Sequence, residues 1–362
     1  MIEDVATPLN RAAAASINEH RAALAAATVA ADYSRRPEHL ARYGLRGRTK
    51  YIEDAAYHMA YLADAVGTSS PLLFTDYVGW AKVLLAQLGL PSEDLAEALR
   101  CARQALQQVL PTEFAQVAAS YVDAGLRQLP RLPTHLPTCI PDGSPLASLA
   151  QEYLSALLRG DRHTASRAIL AGVESGTTLQ DMYLLVFQRS QYEVGRLWQM
   201  NKINVAQEHY CSAATQLIMS LLYPRLFNSS RAGHTLVVAC VHGDLHAIGA
   251  RVVADFFEME GWDASYIGAD TPTAGIIDMV VQRQADVLAL AATMTFHVQA
   301  VAEVIAAVRA SPACSAVQIL VGGYPFNVAP GLWREVGADG YGCDAAEAVR
   351  VATRLVQPAA RA

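Results

Sequence analysis

The last third of the sequence alternates between short apolar runs and segments with helical periodicity, and this alternation constrains the fold more than any other feature. The runs are rich in β-branched residues, as in strands buried on both faces. They cover 235–241, 264–268, 286–292 and 317–321, with a weaker run near Gly340. Helix-period segments follow at 247–260, 273–284, 297–310, 328–336 and 344–356. Five such units predict a doubly wound α/β domain over 234–357, with a parallel sheet and a ligand site at the carboxyl ends of its strands.

Two helical segments precede this region, and a proline-rich stretch separates them. Residues 1–127 are rich in alanine and lack an extended β-branched run, which predicts an all-α amino-terminal domain. Five prolines within 128–146 predict a stiff linker. Residues 147–228 predict an antiparallel four-helix bundle, because their helices are joined by short connections. Those helices are expected at about 147–159, 162–174, 179–200 and 204–225.

Charge and cysteine content limit the classes of function. The net charge is −6, so bulk electrostatics do not favour binding to nucleic acid or to an anionic membrane. Apolar stretches are too short to span a bilayer, and the amino-terminus lacks a signal-peptide pattern. Six cysteines are scattered without a pairing rhythm. We therefore expect reduced thiols and a cytoplasmic protein without a membrane partner.

The loop after the first predicted strand contains the motif Asp244-x-His246-x-x-Gly249. An imidazole is a good ligand for a transition metal, and a carboxylate two residues earlier can hold its other ring nitrogen. Gly249 removes a side chain where a bulky ligand could pass the first helix. The alternative is a loop histidine with an Asp and a Gly nearby by chance, because three fixed positions recur by accident.

Two further elements follow later strands of the same sheet. Thr293 and Thr295 follow the third predicted strand, and Gly322-Gly323 follows the fourth. Separately, threonines often cap helices and glycine pairs often make turns. Together with the first loop, they resemble the flavodoxin-like cobalamin-binding domain of methionine synthase and methylmalonyl-CoA mutase. That family carries Asp-x-His-x-x-Gly, then Ser-x-Leu or Ser-x-Thr, then Gly-Gly, and this sequence has Thr293 in place of the usual Ser.

This resemblance implies a role for each motif residue. His246 would replace the dimethylbenzimidazole of cobalamin as the protein ligand to cobalt, giving a base-off, His-on cofactor, and Asp244 would hydrogen-bond to His246. The freed nucleotide tail would enter a channel beside the glycines and threonines of the motif, namely Gly249, Thr293, Thr295, Gly322 and Gly323.

The predicted bundle contains Trp198, then nine residues, then Glu208-His209. A core tryptophan with a capping Glu-His pair would explain these residues without a ligand. Beside the cobalamin motif, their spacing resembles the CarH-type light-sensing cobalamin proteins. The resemblance implies that Trp198 lines the adenosyl pocket of adenosylcobalamin, and that Glu208 and His209 contact the upper side of the cofactor. CarH-type repressors carry a His directly after the Trp, and Gln199 stands here, which puts a bis-histidine light state in doubt.

The amino-terminal segment departs from the CarH-type repressors, which begin with a DNA-binding domain. Residues 1–130 hold 12 Lys and Arg against 14 Asp and Glu, so direct DNA binding is not expected. A cationic cluster between Arg35 and Lys50 is interleaved with Tyr and His residues. From composition alone it is either a solvated basic face over an aromatic core or a site for a flat, multiply anionic ligand.

The order of a helical domain, a bundle and a cobalamin domain resembles the photocobilins, which pair adenosylcobalamin with biliverdin. That resemblance implies a bilin site in residues 1–127. The site would be non-covalent, because Cys101 is the only cysteine before the linker. Candidate bilin contacts are Arg46, Arg48, His58 and Asp76.

These features together predict a photoreceptor that is not an enzyme. Light would cleave the cobalt–carbon bond, repack the bundle and change self-association, acting on an unknown effector. The alternative is a corrinoid carrier protein for methyl transfer, which shares the bundle and the Asp-x-His-x-x-Gly loop. A radical mutase or lyase would need a large substrate barrel, for which this chain has no room unless the barrel is a separate subunit.

Overall fold

The computed structural model describes residues 7–227 and 230–357. The first six residues of the predicted amino-terminal domain, and Asn228 at the end of the predicted bundle, lie outside the described residues. The described helices before the sheet are α1 (Pro8–Glu19), α2 (Arg21–Arg35), α3 (Glu38–Gly67), α4 (Pro71–Gln87), α5 (Ser92–Val109), α6 (Thr112–Gln128), α7 (Ala147–Leu158), α8 (Arg162–Glu174), α9 (Leu179–Asp181), α10 (Arg189–Gln199) and α11 (Val205–Leu222). A π-helical stretch, Met182–Gln188, joins α9 to α10.

Five parallel strands alternate with helices in the rest of the chain. In chain order, these strands and helices are β1 (Thr235–Cys240), α12 (Ala247–Met259), β2 (Asp263–Tyr266), α13 (Thr273–Arg283), β3 (Val287–Ala291), α14 (Val298–Ala310), β4 (Gln318–Gly322), α15 (Tyr324–Val328), α16 (Leu332–Glu335), β5 (Gly340–Gly342) and α17 (Ala345–Val356). The strand order is β2-β1-β3-β4-β5. The doubly wound α/β prediction is therefore confirmed, and the order changes direction between β1 and β3, where such sheets bind ligands.

One predicted helix of this region is wrong. The segment 328–336 is not continuous: α15 ends at Val328 and α16 begins at Leu332. Pro330 and Gly331 lie between them. Proline supplies no backbone N–H and glycine is a weak helix former, so the helical run breaks there.

The helices before the sheet form two apolar cores that both extend into the α/β domain. The core of α7 to α11 continues into α12 through Val252 and Phe256. Inside it, the buried Tyr183 hydroxyl donates to Asp255 Oδ2 at 2.7 Å. The core of α1 to α6 continues into the opposite face of the sheet, at β1, β3 and β4. Both helical sets are thus packed onto the domain that carries the motif.

No helix in the described part of the chain is long and apolar enough to cross a membrane.

Candidate functional site

The loop between β1 and α12 holds His246 in a fixed orientation. His246 is the residue that precedes α12, and its Nδ1 lies 2.8 Å from Asp244 Oδ1. The same carboxylate oxygen accepts the backbone N–H of His246 at 3.0 Å. About half of the imidazole surface remains exposed, since its side chain is 54% accessible. The second ring nitrogen, Nε2, has no hydrogen bond within the described residues and is available to a ligand.

Asp244 is the buried anchor of this loop. Its side chain is fully buried, and its Oδ2 accepts the backbone N–H of Thr293 at 2.7 Å. Burial alone would raise the pKa of this carboxyl, but the hydrogen bonds from His246 and Thr293, together with the nearby His297, hold it well below its usual range. The hydrogen bond with Asp244 in turn raises the pKa of His246, against the effect of burial. A permanent carboxylate thus fixes the imidazole tautomer with the proton on Nδ1.

A second histidine reaches the same carboxylate, and sequence reasoning missed it. His297 Nδ1 lies 3.5 Å from Asp244 Oδ2, and the ring is buried. It also packs against the loop backbone, where a Cβ on Gly243 would stand 3.3 Å from His297 Nε2. The signal in the sequence is its place four residues after Thr293, in the turn that follows the third strand.

The other motif residues surround His246 at the carboxyl ends of β1, β3 and β4. Gly249 is exposed, and a Cβ there would meet nothing within 4 Å, so the first turn of α12 leaves open space. The Thr295 hydroxyl is buried without a hydrogen-bond partner. At Gly323, φ is +107° and a Cβ would stand 2.0 Å from the Ala292 carbonyl oxygen, so only glycine fits. Gly322 ends β4 beside it.

The bundle carries three candidate residues on α10 and α11. Glu208 lies in the first turn of α11, and after the hydrogen bond with Asp244 its charge is one of the influences that raise the pKa of His246. His209 Nε2 lies 3.4 Å from a Glu208 oxygen, and its side chain is largely exposed. Trp198, near the end of α10, is 37% exposed.

Trp198 also contacts the amino-terminal helices. Its ring lies 6.1 Å from that of Trp80 on α4, centroid to centroid. The next residue, Gln199, is buried and donates through its side-chain amide to the Trp80 carbonyl oxygen at 3.1 Å. Where CarH-type repressors have a His, this chain therefore has an amide that joins the bundle to α4.

The four bilin candidates fall into two separate groups. Arg46 and Arg48 are exposed in the first half of α3. His58 lies ten or more residues further along the same helix, a distance of about 15 Å or more at 1.5 Å per residue. Its Nδ1 is 2.6 Å from the Tyr77 hydroxyl, while Asp76 accepts the Tyr324 hydroxyl at 2.9 Å. The structure does not bring the two arginines together with His58 and Asp76.

Comparisons with known proteins match both regions of the chain that carry candidate residues. Residues 234–350 match the B12 binding domain family, and residues 149–223 match a second family of the same description. Dimethylamine corrinoid protein 1 of Methanosarcina acetivorans is 28% identical over 58% of this chain and 100% of the relative. Dimethylamine corrinoid protein 3 of Methanosarcina mazei is 32% identical over 37% of this chain and 79% of the relative. The HTH-type transcriptional repressor CarA of Myxococcus xanthus is 32% identical over 34% of this chain and 41% of CarA.

A solved structure shares the fold. The monomethylamine corrinoid protein of Methanosarcina barkeri aligns with a TM-score of 0.52 at 20% identity, covering 59% of this chain and all of that one. Because the matched families begin at residue 149, helices α1 to α6 lie outside them.

Proposed function

The chain belongs to the family of B12-binding corrinoid proteins and binds a cobalamin, and we propose that it uses this cofactor, in its adenosyl form, to sense light. The observation that carries the proposal is the contact between Trp80 and Trp198. It places a helix from outside the corrinoid-protein match against the bundle residue expected at the adenosyl pocket. A carrier that hands a methyl group to another protein needs that face of the cofactor open, whereas a sensor can keep it covered.

The described residues fit a cobalamin. His246 presents a free Nε2 and is held by Asp244, as a cobalt ligand requires. The buried Thr295 hydroxyl lacks a partner, and the open space at Gly249 can admit a nucleotide tail. Leu245, at 74% exposure, presents apolar surface beside the ligand. We assign His246 as the cobalt ligand, and we assign the lining of the tail to Gly249, Thr293, Thr295, Gly322 and Gly323.

The chain's own part in signalling follows from the bundle. When bound, adenosylcobalamin supplies a cobalt–carbon bond that light cleaves. Trp198 would pack against the adenosyl group on one side and Trp80 on the other, and Glu208 and His209 would hold the upper side of the pocket. After cleavage Trp198 keeps only Trp80, so the end of α10 repacks. Apolar surface exposed in this way changes self-association, which is the signal to an effector.

We further propose that the amino-terminal helices bind biliverdin without a covalent bond. Exposed arginines on α3, Arg46 and Arg48, supply charge for its carboxylates. Cys101 is buried and burial raises the pKa of its thiol to about 11, which keeps it from attacking the chromophore. His58 and Asp76 are engaged by Tyr77 and Tyr324, so we rank them below the arginines as bilin contacts.

We also propose a cellular compartment and a first binding partner for this protein. All six cysteines are free thiols, which agrees with a cytoplasmic protein. We propose that the protein is not an enzyme, that it does not bind DNA directly, and that its first partner is a second copy of itself.

A corrinoid carrier for methyl transfer is the second candidate. It is favoured by the dimethylamine corrinoid proteins, one of which is matched over its whole length. In that case α1 to α6 would have to move away from Trp198 to admit a methyltransferase.

The deciding experiment compares two forms of the cofactor. Trp198→Ala and Glu208→Ala should weaken binding of adenosylcobalamin more than that of methylcobalamin, because only the former fills the pocket. Tyr192→Ala, an exposed aromatic change on the same helix, is the matched control. Absorption spectra before and after illumination should show loss of the alkyl form, and size exclusion should show a change of mass. Equal losses for both cofactors would favour the carrier.

A further inference from the structure

The first part of α3 is an exposed, positively charged arm, defined here as residues 38–50. The buried residues of α3 begin only at Ala55. Gly44 interrupts the helix with φ of +63° and ψ of −170°. Leu40 and Leu45 stand exposed on either side of this break. A helix without a buried face gains little from packing, and a left-handed glycine gives the arm a hinge.

Within the arm, Lys50 pairs with Glu53 and Asp54, and Arg42 lies over the Tyr43 ring. Arg46 and Arg48 differ from these cations and from the two arginines just before the arm. Arg35 pairs with Glu97, and Arg36 pairs with Asp32 and Asp94. Arg46 and Arg48 have no ion-pair partner within the described residues. Two guanidiniums thus remain unpaired on an arm that can move.

An aromatic nest is formed by two residues of the arm, His39 and Tyr43, together with Tyr33 and Tyr51 outside it. Its rings contact one another at centroid distances from 5.5 to 6.3 Å. The hydroxyls of Tyr43 and Tyr51 are buried without a hydrogen-bond partner. Buried polar atoms of native proteins are normally paired, so two unpaired hydroxyls in one cluster indicate a missing acceptor.

The nearest buried acid is already neutralised by cationic partners, and an arginine stands close by, so the nest can accept an anionic ligand. The nest rests on the buried Asp32, which already binds Arg36 and lies 3.2 Å from His39 Nδ1. Arg48 stands three residues before Tyr51 on α3, a spacing that puts the two side chains on one face of the helix. Burial and Asp32 raise the pKa of Tyr33, and Arg48 acts against them. A phenol hydroxyl can donate to a carboxylate, and a guanidinium can bind one through two parallel hydrogen bonds.

We propose that the nest and the arm form a carboxylate-binding site, in which Tyr43 and Tyr51 donate to the ligand and the arm closes over it with Arg46 and Arg48. This site deepens the proposed bilin function, on which it rests, because it assigns the carboxylate end of the bilin to this nest. The aromatic rings give a flat ligand its walls, and the Gly44 hinge lets the arm admit it.

Esterification of the ligand tests this site separately from bilin binding itself. Biliverdin and its dimethyl ester share the chromophore but differ in the carboxylates. We expect the full-length protein to bind the acid at least about tenfold more tightly than the ester, as loss of charge-assisted hydrogen bonds implies. The double variant Arg46→Gln/Arg48→Gln should lose this preference while still binding the ester. Tyr43→Phe and Tyr51→Phe should each reduce it, and Arg127→Gln, an exposed arginine on α6, should not.

Trypsin reports the closing of the arm. Arg42, Arg46, Arg48 and Lys50 are exposed cleavage sites, and biliverdin should slow cleavage at these positions more than elsewhere. Equal binding of acid and ester, or cleavage unchanged by biliverdin, would overturn the carboxylate site and leave bilin binding intact. A wild-type protein that binds neither compound would overturn both proposals.

Discussion

The loop around Asp244 and the arm of α3 are both proposed to hold a ligand, but the loop is fixed by hydrogen bonds whereas the arm is exposed. Asp244 has both carboxylate oxygens engaged by groups of the protein, and His246 is fixed before any ligand arrives. No residue of the arm is fully buried, and the phenol hydroxyls of Tyr43, in the arm, and Tyr51, just after it, lack hydrogen-bond partners. A cobalt ligand must stay in one orientation, so its supports are built into the core. A large chromophore needs an entrance, so part of its site is left open.

The comparison predicts its largest effect at Asp244. Asp244→Asn places an N–H group against N–H donors inside a buried site, so we expect a loss of about 3 kcal/mol in the free energy of unfolding. Cobalamin affinity should fall by about tenfold or more. Urea denaturation and cofactor titration measure both. The control is Asp270→Asn, an exposed carboxylate that accepts the Gly243 N–H in the same region, which should cost much less. If Asp244→Asn and Asp270→Asn lost the same unfolding free energy and cobalamin affinity, Asp244 would be no more important to the loop than an exposed carboxylate.

The second effect concerns Asp64, which joins the far end of α3 to the start of α14. Its Oδ1 accepts the Gln299 N–H at 3.2 Å, and burial raises its pKa to about 8 against the lowering effect of that bond. The folded protein therefore keeps a proton that the unfolded chain releases near its ordinary pKa of 3.8. Stability should fall as pH rises through this window, by up to about 1.4 kcal/mol per pH unit.

Asp64→Asn should abolish this dependence. Between about pH 6 and 7.5 the wild type should lose about 2 kcal/mol relative to the variant in urea denaturation. Glu113→Gln, an exposed carboxyl on α6, should keep the wild-type dependence. Parallel curves for wild type and Asp64→Asn would show that this carboxyl is already ionised in the folded protein.

A smaller effect is expected at His297, the histidine on the other oxygen of Asp244. His297→Phe keeps a ring against Gly243 and removes the donor, so we expect a loss of about 1 kcal/mol and weaker cobalamin binding. His297→Gln, which can still donate, should restore part of both. If the Phe variant matched the wild type, His297 would be only a packing residue.

The smallest effect should come from the arm itself. Leu40→Gln and Leu45→Gln change residues that are 45% and 72% exposed, so each should alter the free energy of unfolding by less than about 0.5 kcal/mol. A loss of 2 kcal/mol, on the scale of a core residue, would mean that the arm is packed in solution and cannot act as a lid.

The sequence predicted the features that depend on neighbours along the chain. Asp244 and His246 are two residues apart, and the β-branched runs identify buried strands whatever packs on them. The contact of His297 with Asp244 was not predicted, because the two are distant in sequence and meet only when β1 and β3 pair. The sequence showed the cationic cluster but not which of its members are paired, since Glu97 and Asp94, which pair with Arg35 and Arg36, lie on α5.

The most direct test of the account is the identity of the nitrogen bound to cobalt. In the protein loaded with cob(II)alamin, electron paramagnetic resonance should show hyperfine coupling to one nitrogen, and labelling the protein with ¹⁵N-histidine should change that coupling. His246→Ala should lose it, whereas His242→Ala, an exposed histidine in the same loop, should keep it. If the coupling survives in His246→Ala, or if it is unchanged by histidine labelling, then His246 is not the cobalt ligand and the central claim is wrong.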